Sequence, residues 1–299
     1  MKARIILNQA DFSANNIGKY TELSDYTKKV LAKQTQYTED SNEANSLNTF
    51  LNELISRGFL GGSEPILNYL VIPALAGNAE QLLFNIAELD VDGYPVDKRN
   101  DSEKSAVYKV HTPLYSGDKI VGLQVAPTSE LTSTQFLQQQ PQQINRLLEK
   151  SSAYPSMSLC LVCPSISARD ADMLVQFGAG YTLNLFNNYY GLYSLNTNVR
   201  YLKRTISDLQ AGFIGIGYKN DYTLSSMFTG VEGELETLNP NLMKTSASDE
   251  YNYLRLGIYA YDGTRQFKAN AIALGKEMTI EQMGVFRTLI NNLLTDLNL

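Results

Sequence analysis

Tryptophan is absent from this chain, histidine occurs once, at His111, and cysteine twice, at Cys160 and Cys163. The missing indoles argue against a sugar cleft of enzyme type, which uses large flat apolar rings as platforms. One histidine leaves little room for histidine-based chemistry. "KVHTP" has no nucleophile motif beside it, and no G-x-S-x-G occurs in the chain. Two cysteines cannot make a disulfide framework. In "LCLVC" they stand three residues apart, and in a strand such positions face opposite ways. The spacing therefore predicts two buried thiols that diverge, not a redox pair or half of a zinc site.

Charge is also scarce. Only 19% of residues are charged, the net charge is −6, and no stretch concentrates Lys and Arg. A groove that follows nucleic-acid phosphates carries a basic footprint, so nucleic acid is not an expected partner. The longest apolar stretch, "YLVIPALAG", is well short of the ~20 residues that span a bilayer, and membrane insertion is not expected. The start, "MKARIILNQADF", has an apolar run of three residues, whereas a secretory leader needs about 7–15. The expectation is a soluble protein made in the cytoplasm without a signal peptide. No motif calls for a cofactor or a metal. "DVDG" offers Asp90 and Asp92 to calcium but lacks the other ligands of an EF-hand loop.

What the chain has instead is uncharged polarity, as in "STQFLQQQPQQINR" and "NLFNNYYGLYSLNTN", over a 43% hydrophobic content able to fill a core. Residues 41–57 place Leu47, Phe50, Leu51, Leu54 and Ile55 at helical spacing, with Ser41 or Asp40 as cap and Gly58 just past the end. "ILNYLVIPALAG" then suits a buried strand. From about residue 80 the period changes to two. Short runs such as "KIVGLQVA", "SMSLCLVC", "YTLNLF", "AGFIGIGYK" and "RQFKANAIAL" are separated by turn residues such as "SGD" and "FNN". Many short strands so spaced predict a sandwich or barrel. "AYDGTRQF" predicts a hairpin about Asp262-Gly263, and the Gln-rich stretch around Pro141 a long loop. "GFIGIG" opens no helix and predicts a closely packed strand. The chain closes on "TIEQMGVFRTLINNLLTDLNL", with an apolar stripe of Met283, Phe286, Leu289, Ile290, Leu293, Leu294 and Leu297. Thr279 and Gln282 are placed for a capping box. Such a helix covers a sheet face that would otherwise be wet.

Both ends of the chain resemble a group of tailed-phage structural proteins built on a concanavalin A-like lectin/glucanase (laminin G-like) jelly roll. There the last strand runs into "F-x-x-I-G-x-x-L-T" and a helix with "FYTAIQ". Residues Ala271 to Thr279 fill the first part here, with Leu274 before Gly275 and Met278 before Thr279, and Phe286 to Ile290 fill the second. The same group has a preceding helix like "INKFVVDLKxxGIWxKxxAIYPFVGG". Leu47 to Phe59 and Ile66 to Gly77 are similar to it, with Phe59-Leu60 near the place of its Trp. The resemblance implies a mostly β protein: an antiparallel two-sheet jelly-roll sandwich with an N-terminal helical segment and a C-terminal amphipathic helix. Residues 1–79 would be a helix-containing docking segment and 80–299 the sandwich domain. It implies a virion location and a head-fibre, tail-fibre or decoration role, with other virion proteins and further copies of itself as partners, commonly as a trimer.

The same fold hosts glucanases, which set carboxylates on alternate residues of one strand in an E-x-D-x-E arrangement, about 5 Å apart when retaining. "ELDVD" offers Glu88, Asp90 and Asp92, and "EGELE" offers Glu232, Glu234 and Glu236, but neither has that order. The expectation is therefore no catalytic residue, with a glycoside hydrolase or a stand-alone carbohydrate-binding module as the alternatives. For ligand binding the candidates are Asn187, Asn188, Tyr189, Tyr190 and Tyr193, where aromatic rings and amides concentrate as a host-surface glycan would require. The same pattern also suits a hairpin with cross-strand tyrosines.

Overall fold

The computed structural model describes residues 4–6, 22–89, 111–125, 137–138, 157–163, 175–177, 181–186, 189–194, 199–200, 204–205, 212–218, 225–229, 232–236, 254–256 and 267–299. In chain order the first elements are β1 (Arg4–Ile6), α1 (Asp25–Lys33), α2 (Asn42–Ser56), β2 (Leu67–Val71), β3 (His111–Ser116), β4 (Lys119–Val125) and β5 (Leu137–Gln138). Then follow β6 (Met157–Cys163), β7 (Val175–Phe177), β8 (Tyr181–Phe186), β9 (Tyr189–Ser194), β10 (Val199–Arg200), β11 (Arg204–Thr205) and β12 (Gly212–Tyr218). The last are β13 (Ser225–Thr229), β14 (Glu232–Glu236), β15 (Leu254–Leu256), β16 (Phe267–Ala269), β17 (Ala271–Gly275) and α3 (Ile280–Asp296).

The described residues form three sheets, and every described pairing is antiparallel. The first has the order β1-β14-β13-β12-β6-β17-β2. The second runs β10-β9-β8-β7-β15-β5, with β11 also on β9, and the third runs β16-β4-β3. The protein is thus mostly antiparallel sheet with a few helices, as the period-two runs predicted. Asp262 and Gly263 lie outside the described residues. The strands nearest on either side, β15 and β16, belong to different sheets. The turn at "SGD" closes the β3–β4 hairpin, with Gly117 at φ 58°.

The helices form where capping and periodicity agree. The Ser41 hydroxyl accepts from the Ala44 amide to start α2. At its end Gly58 takes φ 75°, Phe59 N–H donates to Leu54 C=O and Gly58 N–H to Ile55 C=O, the paired bonds of a Schellman turn. Leu47, Phe50, Leu51 and Leu54 are buried as expected, but Ile55 is 36% exposed. Asn48 lies on the same flank two turns earlier and is fully covered, because Ser24 and Thr27 of the α1 region bond to it. Ile55 stands beyond that cover at the rim. In α3, Thr279 and Gln282 form the reciprocal capping box. Met283, Phe286, Ile290, Leu293, Leu294 and Leu297 are buried, while Leu289 is only partly so.

Helix α1 has no counterpart in the sequence reading. Its apolar content is small, Val30 and Leu31 being the buried aliphatics. The legible signals were the Ser24 cap, Asp25 in the first turn and Lys33 in the last.

The three helices and one face of the first sheet share a single core. Phe286 of α3 lies at its middle, 5.9 Å from the Phe59 ring and edge-on to Phe213 of β12 at 6.2 Å. Cys160, Val162, Ala271 and Ala273 complete that face of the sheet. The opposite face is also buried at Leu159, Leu161, Cys163, Ile214, Ile272, Leu274, Tyr69 and Val71. Strands covered on both sides read as continuous apolar runs, which is why "LCLVC" and "AIAL" do not alternate.

Strand β2 ends this sheet, and its outer edge is not left bare. Asn85 takes the place of a neighbouring strand: its Oδ1 accepts from Leu70 N–H at 2.9 Å and its Nδ2 donates to Asn68 C=O at 3.0 Å. Ile86 N–H adds a bond to Leu70 C=O, and the Tyr26 hydroxyl donates to Ile86 C=O. Burial pushes the Tyr26 phenol up from its ordinary value. A second amide joins segments far apart in the chain. Gln36 Nε2 donates to Ile120 C=O at 2.7 Å and to Ala74 C=O at 2.9 Å, and its Oε1 accepts from Ile120 N–H at 3.0 Å.

Candidate functional site

The second sheet holds the candidate ligand residues. Strands β8 and β9 form one antiparallel pair in which Phe186 faces Tyr189, Leu185 faces Tyr190 and Thr182 faces Tyr193. Asn187 and Asn188 lie outside the described residues. Strand alternation divides the tyrosines: positions 189 and 193 belong to one face of the sheet and position 190 to the other. The register therefore brings Tyr189, Tyr193, Thr182 and Asn184 onto one face and separates Tyr190 from them.

That face continues across the sheet. Directly opposed residues of an antiparallel pair share a face. Following the register gives one row: Arg200, Tyr193, Thr182, Gln176, Arg255 and Gln138. The row beside it, on the other face, is Leu192, Leu183, Val175, Leu256 and Leu137. These two rows are polar on one face and aliphatic on the other, while Phe186 shares the first face and Tyr190 and Arg204 the second. Sequence reasoning found Tyr189 and Tyr193 but not Gln138, Gln176, Arg200 or Arg255. Arg255 lies in "YLRLGIYAY", a run of strand period in which nothing marks a ligand residue, and the strands of Gln138, Gln176 and Arg200 are two or three residues long, too short for periodicity to register.

Glu232, Glu234 and Glu236 do occupy alternate positions of β14. Their opposed residues on β13 are Thr229, Met227 and Ser225, none of them an acid, and Arg4 of β1 faces Glu234. Glu88 sits in a bend, not on a strand, and Asp90 and Asp92 lie outside the described residues. His111 begins β3, opposite Val125. Among the described residues no cluster of His, Cys, Asp and Glu could hold a metal ion, and no helix is long and apolar enough to cross a membrane.

Cys160 and Cys163 are free thiols on opposite faces of β6. Cys160 belongs to the helix-side core, and Cys163 does not. Burial pushes both thiols up, Cys163 to about 12. Such thiols stay protonated at neutral pH and are poor nucleophiles.

Neither a protein family nor a curated protein matches the chain. Solved structures that resemble it include the CBM40 module of a Ruminococcus gnavus IT-sialidase bound to α2,3-sialyllactose. That likeness has 11% identity over 44% of this chain and 82% of the other, with a TM-score of 0.32. A second is botulinum neurotoxin type C, whose entering of cells depends upon interaction with two ganglioside molecules. It has 9% identity over 60% of this chain and 42% of the toxin, with a TM-score of 0.36. A third, the HCR/D F1240A mutant, has 10% identity over 74% and 52% with a TM-score of 0.41. This chain spans less than two thirds of the last two. Identities and scores this low leave function to be argued from the chain's own residues.

Proposed function

We propose that this chain is a non-catalytic adhesion protein that binds saccharide on the polar face of its second sheet. The observation that carries the reading is the register that sets Tyr189 and Tyr193 on one face with Thr182, Gln176 and Asn184. Tyrosine offers an apolar ring and a hydroxyl at little entropic cost, and amides and hydroxyls both donate and accept hydrogen bonds. That combination suits a ligand with C–H faces and many hydroxyls. A glycan array tests it. Binding is expected for the intact chain and is expected to fall at least about tenfold, about 1.4 kcal/mol, for Tyr193→Ala. A blank array for well-folded protein would remove the reading.

The narrower reading is a tailed-phage virion protein with a concanavalin A-like jelly roll. What supports it is that the two stretches carrying the resemblance meet in one core: Leu47, Leu54 and Phe59 from the first pack with Ala273 and Phe286 from the second. Under it, residues 1–79 dock the protein to virion partners or to copies of itself, and a trimer is expected. Sedimentation of the purified chain and mass spectrometry of purified particles test this. A monomer at micromolar concentration that is absent from particles would end it. A glycoside hydrolase would need "EGELE" to act with Glu234 in place of the middle Asp of the glucanase arrangement. Polysaccharide cleavage abolished by Glu232→Gln or Glu234→Gln would establish that alternative instead.

A further inference from the structure

The strands of the second sheet contain Arg200, Arg204 and Arg255 but no Asp, Glu or Lys. The chain as a whole is acidic, with 31 acidic against 25 basic residues. A sheet with cations and no anions is the reverse of that balance. Register sharpens the exception. Arg200 and Arg255 fall in the same polar row, at the first and fifth of its six positions, with Tyr193, Thr182 and Gln176 between them and Gln138 beyond. Arg204 pairs with Tyr190 and so belongs to the other face. Adjacent strands lie about 4.8 Å apart, which puts the two row arginines roughly 19 Å from one another.

From this juxtaposition we propose that the row is a binding track for an acidic oligosaccharide, one that carries carboxylates several sugars apart and lies across the strands. The inference rests on the saccharide reading given above and specifies its ligand class. Arginine is the side chain best suited to carboxylate, because its planar fork can make two parallel hydrogen bonds and it stays charged at every working pH. A tyrosine at the neighbouring position of the row, as Tyr193 is to Arg200, suits the sugar's C–H face. A single acidic monosaccharide would engage one arginine, whereas a chain long enough to span both would gain from the linkage of two contacts.

The test compares an oligogalacturonate of about six residues with its methyl ester, and an oligosaccharide carrying two sialic acids with its dimethyl ester, by calorimetry on the intact chain. The expected result is binding of at least one free acid, with the ester at least tenfold weaker. Affinity should fall as salt rises from 50 to 500 mM, because the screening length shortens from above 10 Å to a few ångströms. Arg200→Gln and Arg255→Gln should each weaken the acid by about 10- to 100-fold, with circular dichroism unchanged, while Arg255→Lys should recover part of the loss. The two acids tell a polyuronate from a sialylated source. Equal binding of acid and ester would overturn the acidic-ligand assignment and leave the saccharide reading standing. Binding of neither, with a neutral-glycan array also blank, would overturn both. The acid–ester comparison needs no variant, so a misfolded mutant cannot rescue the proposal.

Discussion

Gly275 and Ile66 meet backbone against backbone. A Cβ at position 275 would overlap the Ile66 carbonyl oxygen and stand 2.8 Å from the carbonyl carbon and 2.9 Å from Leu67 Cα. The register of β17 on β2 shifts at this point, between Leu274 and Gly275, and Lys276 N–H donates to the same Ile66 carbonyl at 2.8 Å. The glycine of the "AIALG" stretch is therefore a packing requirement where the last strand leaves the sheet for α3.

Gly275→Ala is expected to force β2 and β17 apart. Overpacking a well-filled site costs about 1–3 kcal/mol, and backbone cannot yield as a side chain can, so the upper end applies. A lowered denaturation midpoint in urea, with the slope unchanged, is the readout. A variant as stable as the parent would mean that the close approach is not obligatory.

Phe286 is the residue whose loss should hurt the helical core most. Phe286→Ala removes the ring between Phe59 and Phe213 and is expected to cost about 3–5 kcal/mol. A double-mutant cycle with Phe59→Leu and Phe286→Leu should give a coupling of about 0.5–1.5 kcal/mol. Additivity within error would show that the rings contribute area alone.

Asn85→Leu keeps the branched shape and removes the amide that covers the β2 edge. It leaves Leu70 N–H and Asn68 C=O without that partner, a penalty of about 1–3 kcal/mol for each buried group left unpaired. Hydrogen exchange at the Leu70 amide should quicken, and concentrated samples should associate through the bared edge. Unchanged exchange at Leu70 would place the protection elsewhere.

The two thiols should be silent until the protein unfolds. A thiol reagent at pH 8 is expected to label neither Cys160 nor Cys163 in the native chain and both in denaturant. The pH dependence has a definite sign. Burial raises Cys163 from 9.0 to about 12. Its contribution is fully present below pH 9, where both states are protonated, and is lost as pH rises toward 12 because the unfolded thiol ionises first. Cys163→Ala should flatten the fall in stability between pH 9 and 11, and an identical fall would assign the effect to other groups.

Several parts of this protein are written in short stretches of sequence. Ser41 and Gly58 delimit α2, Thr279 and Gln282 start α3, and the spacing of Cys160 and Cys163 sets them on opposite faces of a strand. Each follows from groups within a few residues of one another, where cap, period and alternation act without help from the rest of the chain. What only the tertiary structure decided is the pairing. Gln36 clasps Ile120 across 84 positions of sequence, and Asn85 serves as a substitute strand for β2. The register that puts Arg200 and Arg255 in one row depends on strands spread from residue 137 to 256. A strand leaves both of its edges open to any partner, and its neighbour is chosen by the burial and hydrogen bonding of the whole sheet. No local pattern can carry that choice.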